Sequence, residues 1–251
     1  MAILLTPAKP NLRGAWRYWR PVGGGIVELG TVHGQDVALP THFHEEDQIT
    51  FVLRGQRHFV IDGQPVSVAP GEGVHIPAGT PHSSLSGPSG VAGINMYTVP
   101  RAYAVSDLVA ALSDYWRTTG RIDWGELAVI FEQCRSLATA IPRHDAEECW
   151  HAANWGTVGQ AARLAGMSRE GYSRRFSRLH GMPPHTFQLT ENLNEARRLL
   201  RTGGRIAAVA ADTGFADQSH LGRCFRRAFG VTPGRYRSGQ YRSESPVTSV
   251  L

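Results

Sequence analysis

The back half of the sequence contains an internal repeat, and this repeat limits the possible folds more than any other feature. Residues 176–181 (FSRLHG) match residues 225–230 (FRRAFG) at an offset of 49 positions. Upstream of each copy, an alanine-rich stretch is followed by a glycine, Gly166 in the first copy and Gly214 in the second. Each copy therefore has the pattern of a helix, a tight turn with glycine and a second helix, which is typical of the helix-turn-helix motif.

The second helix of each unit is predicted to bury one apolar face and to present polar and basic side chains elsewhere. Ser168 and Asp217 precede these helices and can cap them. In the first unit Tyr172 and Phe176 lie four residues apart on one face, and Leu221 begins the corresponding face of the second unit. An ordinary bundle of basic amphipathic helices would explain one such helix, but two in register with matching turns favour DNA binding. Each helix fits the major groove, where Arg can contact guanine and Gln can contact adenine.

The positive charge of the chain is concentrated in the same half. Residues 151–251 contain 15 arginines, no lysine and 6 acidic residues, a net charge of +9. Residues 1–150 contain 11 basic and 15 acidic residues, a net charge of −4. This distribution is typical of a polyanion-binding module joined to a module of another kind, although a basic surface that is only solvated remains an alternative.

A continuous helix is predicted to connect the two units. Residues 184–201 place apolar side chains at helical spacing, and Gly203 and Gly204 follow as a helix end. Eighteen helical residues span about 27 Å, so this helix could hold two recognition helices about one turn of DNA apart.

Residues 157–237, and above all the stretch AAVAADTGFADQSHLGRCFRRAFGVTPGRYR, resemble the DNA-binding domain of the AraC/XylS family of transcription regulators. The resemblance implies a sequence-specific regulator that binds promoter DNA, with RNA polymerase as a further partner and no enzymatic activity. It implies base contacts from Glu170, Ser173, Arg174, Gln218, Ser219, His220 and Arg223. Arg169 and Arg227 are further basic residues of the same helices, and we expect them to contact DNA. One departure is Asn192, which stands where the linking helix of the family usually carries an Arg.

Residues 22–99 show a different pattern, with short alternating apolar runs separated by turn signals. Asp62-Gly63 stands between two such runs and predicts a β-hairpin. Several strands at this spacing imply a small antiparallel barrel or sandwich. The predicted fold class is therefore α+β with two domains, an antiparallel β-barrel followed by an all-α domain with two helix-turn-helix motifs.

Two histidine-containing motifs lie in this β region. The first is His42-x-His44-x3-Gln48-x6-Gly55, and the second is Gly71-x5-Pro77-x-Gly79-x2-His82. They resemble the two motifs of cupin barrels, in which two histidines, a Glu and a later histidine bind one metal ion. Here Gln48 stands at the Glu position, and a neutral amide is a weaker metal ligand than a carboxylate.

Three interpretations of His42, His44, Gln48 and His82 stay open. The first is the metal site of a cupin enzyme, of the dioxygenase or isomerase type, with an accessory nucleic-acid-binding domain. The second is a sensor site that holds a divalent metal on these four residues. The third, which the family resemblance favours, is a pocket that binds a small organic effector and needs no cofactor. The segment RGAWRYWR, with Trp16 and Trp19, would either close over that pocket as an arm or cap the barrel core.

The remaining sequence indicates how the modules are joined. Residues 106–118 and 124–138 carry apolar side chains at helical spacing, and these helices would fill the core or form the interface of a homodimer. We expect a cupin-like effector-binding domain at 1–99, linker or dimerisation helices at 100–142, the DNA-binding domain at 143–238 and a disordered tail at 239–251.

The cysteines and the lengths of the apolar runs indicate the compartment. Cys134, Cys149 and Cys224 form no CxxC pattern, which fits a reducing compartment and argues against disulfides or a zinc finger. The chain contains no run of about 18 apolar residues, so we expect no membrane association. These features predict a cytoplasmic protein.

Overall fold

A computed structural model describes residues 15–21, 25–136 and 156–239, and within them the chain forms nine strands and eight helices. The strands are β1 (Ala15–Trp19), β2 (Ile26–Gly34), β3 (Leu39–His42), β4 (Asp47–Gly55), β5 (Arg57–Ile61), β6 (Gln64–Val68), β7 (Gly73–Ile76), β8 (His82–Leu85) and β9 (Val91–Thr98). The helices are α1 (Val105–Thr119), α2 (Trp124–Gln133), α3 (Val158–Leu164), α4 (Arg169–His180), α5 (Pro184–Arg201), α6 (Ile206–Asp212), α7 (Gln218–Phe229) and α8 (Pro233–Gly239). We refer to β1–β9 with α1 and α2 as the β domain, and to α3–α8 as the helical domain.

The strands form two antiparallel sheets, as their alternating pattern predicts. One sheet has the order β1-β2-β9-β4-β7 and the other has the order β3-β8-β5-β6. The predicted hairpin is confirmed between β5 and β6, where the turn residues Asp62 and Gly63 have φ angles of 48° and 75°. Two successive positive φ angles match the twist of the flanking strands, and Gly adopts them easily. The predicted α+β class is confirmed.

Helices α1 and α2 pack on the five-stranded sheet. Leu108 and Leu112 of α1 and Leu127 and Phe131 of α2 are buried in one cluster with sheet residues such as Phe51. The inner faces of the two helices therefore fill the core, which is one of the two roles that their pattern predicted. Helix α2 ends at 133, before the predicted limit of 138.

The helical domain contains the predicted repeat. Helices α3 and α6 lead into α4 and α7 through glycines with positive φ, Gly166 at 63° and Gly214 at 75°. Ser168 and Asp217 cap α4 and α7, because each side chain accepts a hydrogen bond from a first-turn N–H, at 3.1 Å and 2.7 Å respectively. Helix α5 spans Pro184–Arg201, which confirms the predicted linking helix.

The two domains are docked against each other through one shared hydrophobic cluster. Trp16 and Tyr18 of β1 belong to this cluster together with Phe225, Phe229 and Tyr236 of the helical domain. Strand β3 contacts α5 and α7, and β1 contacts α8. The second helix of the second helix-turn-helix unit, α7, therefore has one face against the β domain.

The segment that contains Trp16 and Trp19 is a paired strand and not a free arm. Residues 15–19 pair with β2 along their whole length. Trp16 seals the seam between the domains, since a Cβ at Gly230 would collide with its indole ring. Trp19 points to the other face of the sheet and packs with Leu29 and Ile49 in the core of the β domain. The prediction that this segment is a free arm over the pocket is therefore wrong, because the pairing with β2 fixes both tryptophans.

Some predictions concern residues outside the described ranges. The predicted boundary at 142 and 143, Cys149 and the tail beyond 239 are among them. Within the described ranges, Cys134 and Cys224 are free thiols. No helix in those ranges is both long enough and apolar enough to cross a bilayer.

Candidate effector pocket and DNA-reading helices

Three histidines meet in the interior of the β domain. His42 of β3 lies opposite His82 of β8 in the strand register, and His44 follows β3. The ring centroids of the three pairs are 4.4 to 5.1 Å apart, and one ring nitrogen of each lies within 4.8 Å of the others. Gln48 of β4 interacts with His44. The structure thus places together the four residues that the two motifs singled out.

Backbone carbonyls fix the protons of two of these histidines. His42 Nδ1 lies 2.7 Å from the carbonyl oxygen of Pro40, and His82 Nδ1 lies 2.9 Å from that of Thr80. A carbonyl oxygen only accepts, so we assign the proton of each neutral ring to Nδ1. The Nε2 atoms of His42 and His82 are then acceptors.

The third histidine has the opposite tautomer because an arginine from the helical domain contacts it. Arg197 Nη1 lies 3.2 Å from His44 Nδ1. A guanidinium has only donors, so Nδ1 of His44 accepts and its Nε2 carries the proton of the neutral ring. The cluster therefore combines acceptors on His42 and His82 with a donor on His44.

Arg197 is the centre of a buried ionic network at the domain seam. Its Nε donates to Glu28 Oε2 at 2.9 Å, and its Nη2 makes a shorter contact to the same oxygen. The Tyr236 hydroxyl donates to Glu28 Oε1. Arg197 and Glu28 are both buried, at 1% and 0% exposure. Burial acts to lower the pKa of Arg197, but the Glu28 carboxylate raises it, and the pKa stays well above its ordinary value.

Further polar contacts join α5 to the β domain on both sides of Arg197. Arg201 Nη1 donates to Glu46 Oε1 at 2.6 Å, with both side chains about nine-tenths buried. Asn194 Nδ2 donates to the carbonyl oxygen of Phe43 at 3.0 Å. One face of α5 is therefore attached to the β domain over two turns.

The sequence patterns did not single out this network. Glu28 is a carboxylate within the apolar run of β2, and Arg197 lies on the same face of α5 as Leu193 and Leu200. A charged residue within an apolar run, or on the apolar face of a helix, is expected to have a partner of opposite charge when it is buried. Their partnership was not visible, because 169 positions separate the two residues.

A cavity of about 470 Å³ lies at the same seam. It is bounded by β3 residues that include His42, by α5 residues that include Leu189 and Leu193, and by Arg227 and Phe229 of α7. The cavity is mostly apolar, so it suits an organic molecule or segment with a hydrophobic body.

The residues expected to read DNA lie on α4 and α7. Seven of the nine are exposed: Arg169, Glu170, Arg174, Gln218, Ser219, Arg223 and Arg227. Ser173 and His220 are half-buried. His220 accepts a hydrogen bond at Nδ1 from the Ala216 N–H at 3.4 Å, so it also orders the turn before α7. Arg227 lines the seam cavity, which places it at the edge of the exposed face.

The chain matches two domain models, each over one of these regions. Residues 29–85 match the model of a cupin domain, and residues 161–239 match that of a helix-turn-helix domain. A relative from Streptomyces antibioticus, named an AraC-like transcription regulator, is 28% identical over 173 residues, which are 65% of this chain and 55% of that protein. The chain combines a cupin domain with an AraC-type helix-turn-helix domain. We use the name cupin domain for the whole β domain and AraC-type domain for the helical domain. The resemblances seen in the sequence are confirmed at this level.

Another relative matches over a shorter stretch at higher identity. The HTH-type transcriptional regulator MtrA of Neisseria gonorrhoeae is 38% identical over 81 residues, which are 32% of this chain and 27% of that protein. The chain thus spans about a quarter to about half of the length of these two relatives.

The two-domain layout also occurs in a solved structure. Unsaturated fatty acid-bound wild-type ToxT from Vibrio cholerae strain SCE256 superposes with a TM-score of 0.51 at 12% identity. The alignment covers 95% of this chain and 100% of that one. At this identity the similarity concerns the fold, a cupin domain followed by an AraC-type domain.

The cupin histidines are held in their neutral form. Burial lowers the pKa of His42 and of His44 well below the ordinary value, and a neighbouring histidine lowers each further. Burial lowers the pKa of His82 to about 4, although its hydrogen bond to Thr80 opposes the shift. All three rings are therefore uncharged at neutral pH.

The cupin site fits a divalent metal only in part. By spacing alone the three imidazoles could hold one, and carbonyl contacts to Nδ1 of His42 and His82 are the usual support for Nε2 ligation. However, Arg197 donates to His44 Nδ1, so the free nitrogen of His44 carries a proton and cannot bind a metal. The guanidinium also adds positive charge beside the site. The docked arrangement therefore does not fit a metal centre.

This conflict predicts how metal binding responds to Arg197. We expect wild-type protein dialysed against Zn²⁺ to retain less than one equivalent, measured by elemental analysis. Arg197→Ala removes the donor to His44, and we expect it to bind Zn²⁺ on the order of tenfold more tightly. The neighbouring Arg198→Ala variant should behave like the wild type, because Arg198 is exposed and pairs with Glu195. A full equivalent on the wild type would contradict this assignment.

The lowered pKa of His82 predicts a pH-dependent stability of the cupin domain. A histidine with a pKa near 4 when folded and 6.5 when unfolded binds a proton more readily in the unfolded chain, so stability falls as the pH drops below 6.5. Between pH 7 and pH 5 the loss from His82 is about 2 kcal/mol. Denaturant titrations at the two pH values measure it. His82→Asn should remove this part of the dependence, and an unchanged dependence in that variant would contradict the assignment.

Proposed function

We propose that the chain is a sequence-specific DNA-binding transcription regulator whose two recognition helices, α4 and α7, read neighbouring parts of one promoter site. The observation that carries this proposal is the repeated exposure of polar side chains on the two helices. Gln218, Ser219 and Arg223 are exposed along the first half of α7, while Leu221 and Phe225 are buried on its other face. Arg and Gln side chains on a helix can identify guanine and adenine in the major groove. The names of the relatives support the same function.

The cupin domain is the sensor in this proposal, and it catalyses no reaction. Three of its buried polar atoms lack a hydrogen bond of normal geometry among the described residues: His82 Nε2, and also His44 Nε2 and Gln48 Oε1, although these last two residues interact with each other. Such atoms call for a bound polar group or ordered water, because a buried polar atom without a partner is costly. A small organic effector with a polar group supplies that partner. The similarity to ToxT, which was solved with a fatty acid, supports ligand binding in this architecture.

Effector binding can alter DNA binding through the docked seam. The cupin domain contacts α5, α7 and α8, so a ligand that stabilises one arrangement of the domains changes the population of the DNA-binding arrangement. The ligand can do this only if it binds one arrangement more tightly than the other. A homodimer through the outer faces of α1 and α2 belongs to the same proposal, and the half-exposed Val129 offers an apolar contact there.

The test is DNA binding by the purified full-length chain. A site selected from random DNA, and then footprinted, should show protection over two neighbouring major-groove segments. Affinity should fall steeply with salt, by about 0.9 in the slope of log K against log salt for each phosphate contact. Arg117→Ala, an exposed arginine of α1 that pairs with Asp114, is the control and should leave this slope unchanged. Stoichiometric metal with enzymatic turnover and no footprint would instead support a cupin enzyme.

A further inference from the structure

Arg197 occupies a cage of aromatic rings and acceptors. Its guanidinium carbon lies 4.2 Å from the ring centre of Tyr97, 5.5 Å from that of Tyr18 and 5.1 Å from that of Phe229. Glu28 and His44 accept its hydrogen bonds. We call Glu28, His44, Tyr18, Tyr97 and Phe229 the cation cage, because each contributes a negative group, a lone pair or a π face.

The two domains contribute unequally to the cation cage. Four of its five residues belong to the cupin domain, and only Phe229 comes with Arg197 from the AraC-type domain. Tyr236, also from the AraC-type domain, donates a hydrogen bond to Oε1 of Glu28, whereas Arg197 donates to Oε2. The cupin domain thus holds a nearly complete receptor for a cation, and the other domain inserts its own arginine into it.

The receptor needs a positive guest. In the docked structure Glu28 is fully buried and accepts from Arg197, and removing one partner of a buried ion pair is strongly destabilising. If the domains separate, Arg197 leaves and Glu28 stays on β2 among tyrosines. Glu28 would repel an anionic ligand. Such a ligand would need Arg197 as its hydrogen-bond donor, and Arg197 belongs to the other domain. The chemistry of the cage therefore favours a cation.

We propose that the cation cage is a binding site for a small organic cation, a guanidinium or primary ammonium compound, that competes with Arg197 for Glu28. The ligand replaces the internal guanidinium and lowers the population of the docked arrangement. Its effect on DNA binding rests on the proposed function, whereas the binding itself does not. The ligand would therefore resemble the arginine side chain that it displaces.

The seam cavity indicates what else such a ligand contains. Phe229 both covers the guanidinium of Arg197 and lines the cavity of about 470 Å³. Leu189 and Leu193 supply further apolar walls. Of the cage residues only Phe229 lines this cavity, so an apolar body attached to a cation on Glu28 would reach the cavity past the Phe229 ring. We infer a ligand with a cationic head and a hydrophobic tail.

The test measures the binding of an arginine side-chain analogue to the full-length chain in which Arg197 has been replaced, so that the cation cage lacks its internal guanidinium. In Arg197→Ala, n-propylguanidinium should bind about tenfold or more tightly than n-propylurea, a neutral molecule of the same shape. Isothermal titration calorimetry with a metal chelator present measures both, and butyrate serves as the anionic comparison. Wild-type and Arg198→Ala protein should bind n-propylguanidinium more weakly than Arg197→Ala does, because Arg197 still fills the cage.

The outcomes separate this inference from the proposed function. Equal binding of the guanidinium and the urea, preference for butyrate, or no binding to folded Arg197→Ala would each overturn the cage. If Arg197→Ala does not fold, Arg197→Met keeps a long apolar side chain and is titrated in its place. If neither variant folds, the comparison is made on wild-type protein, where a guanidinium preference is still required. DNA binding is measured separately without any probe, so its absence would overturn the regulator and leave the calorimetric result standing.

Discussion

Replacing Arg197 by alanine is expected to destabilise the docked protein by about 3–5 kcal/mol, the usual cost of removing one partner from a buried ion pair. The variant removes the guanidinium that pairs with Glu28, a fully buried carboxylate that also accepts from the Tyr236 hydroxyl. In a thermal scan the loss should lower the melting temperature by roughly 10 °C, or split one transition into separate transitions of the two domains.

Two further variants define what that loss means. Arg198→Ala removes an exposed arginine that pairs with Glu195 on the same helix, and we expect a change within about 0.5 kcal/mol. Adding Glu28→Gln to Arg197→Ala removes the negative charge that Arg197 neutralised, and it should restore part of the lost stability. If Arg197→Ala and Arg198→Ala have equal melting temperatures, the seam does not depend on this ion pair.

Arg223→Ala is expected to weaken binding to the selected DNA site by about 1–3 kcal/mol, roughly a fivefold to 150-fold rise in Kd, with little effect on random DNA. Arg223 is exposed in the middle of α7, one turn after Gln218 and Ser219, where it can reach base edges if α7 lies in the major groove. Electrophoretic mobility shift or fluorescence anisotropy on the two DNA types measures the difference. An equal loss on both would show that Arg223 contacts phosphate.

Arg227 offers a comparison within the same helix. It lies one turn further along α7 and lines the seam cavity, so it is less favourably placed to read a base. Arg227→Ala should therefore cost less specificity than Arg223→Ala. A melting temperature close to that of the wild type in both variants would confirm that neither change acts through folding.

The helical half of the molecule could be predicted closely because its signals are local. The offset between residues 176–181 and 225–230 identified two matching units, and Ser168 and Asp217 identified where their second helices begin. The linking helix ends where the glycine pair predicts. Caps, turns and helical stripes all depend on residues within a few positions of each other, so one sequence suffices to find them.

The β half and the seam depended on contacts between distant residues. Alternation predicted strands, but it could not predict that β9 pairs with both β2 and β4 or that residues 15–19 form an edge strand. The motif spacing grouped His42, His44 and His82, yet the proton positions depend on Arg197 from another domain. A charged residue on an apolar face shows that a partner exists, but the partner's identity requires the fold.

Under the proposed function, the unbroken helix α5 would make the response to the effector directional along the DNA site. The β-strands contact α5, α7 and α8, and so they grip the second helix-turn-helix unit and the rod between the units. The first unit is attached to the same rod at its other end and touches the β domain at its edge, where a Cβ at Gly181 would lie 3.1 Å from Pro81. A change at the seam should therefore alter recognition of the half-site under α7 most strongly and reach the half-site under α4 through the orientation of the rod. Two half-sites read by one chain would thus differ in how strongly the effector modulates them.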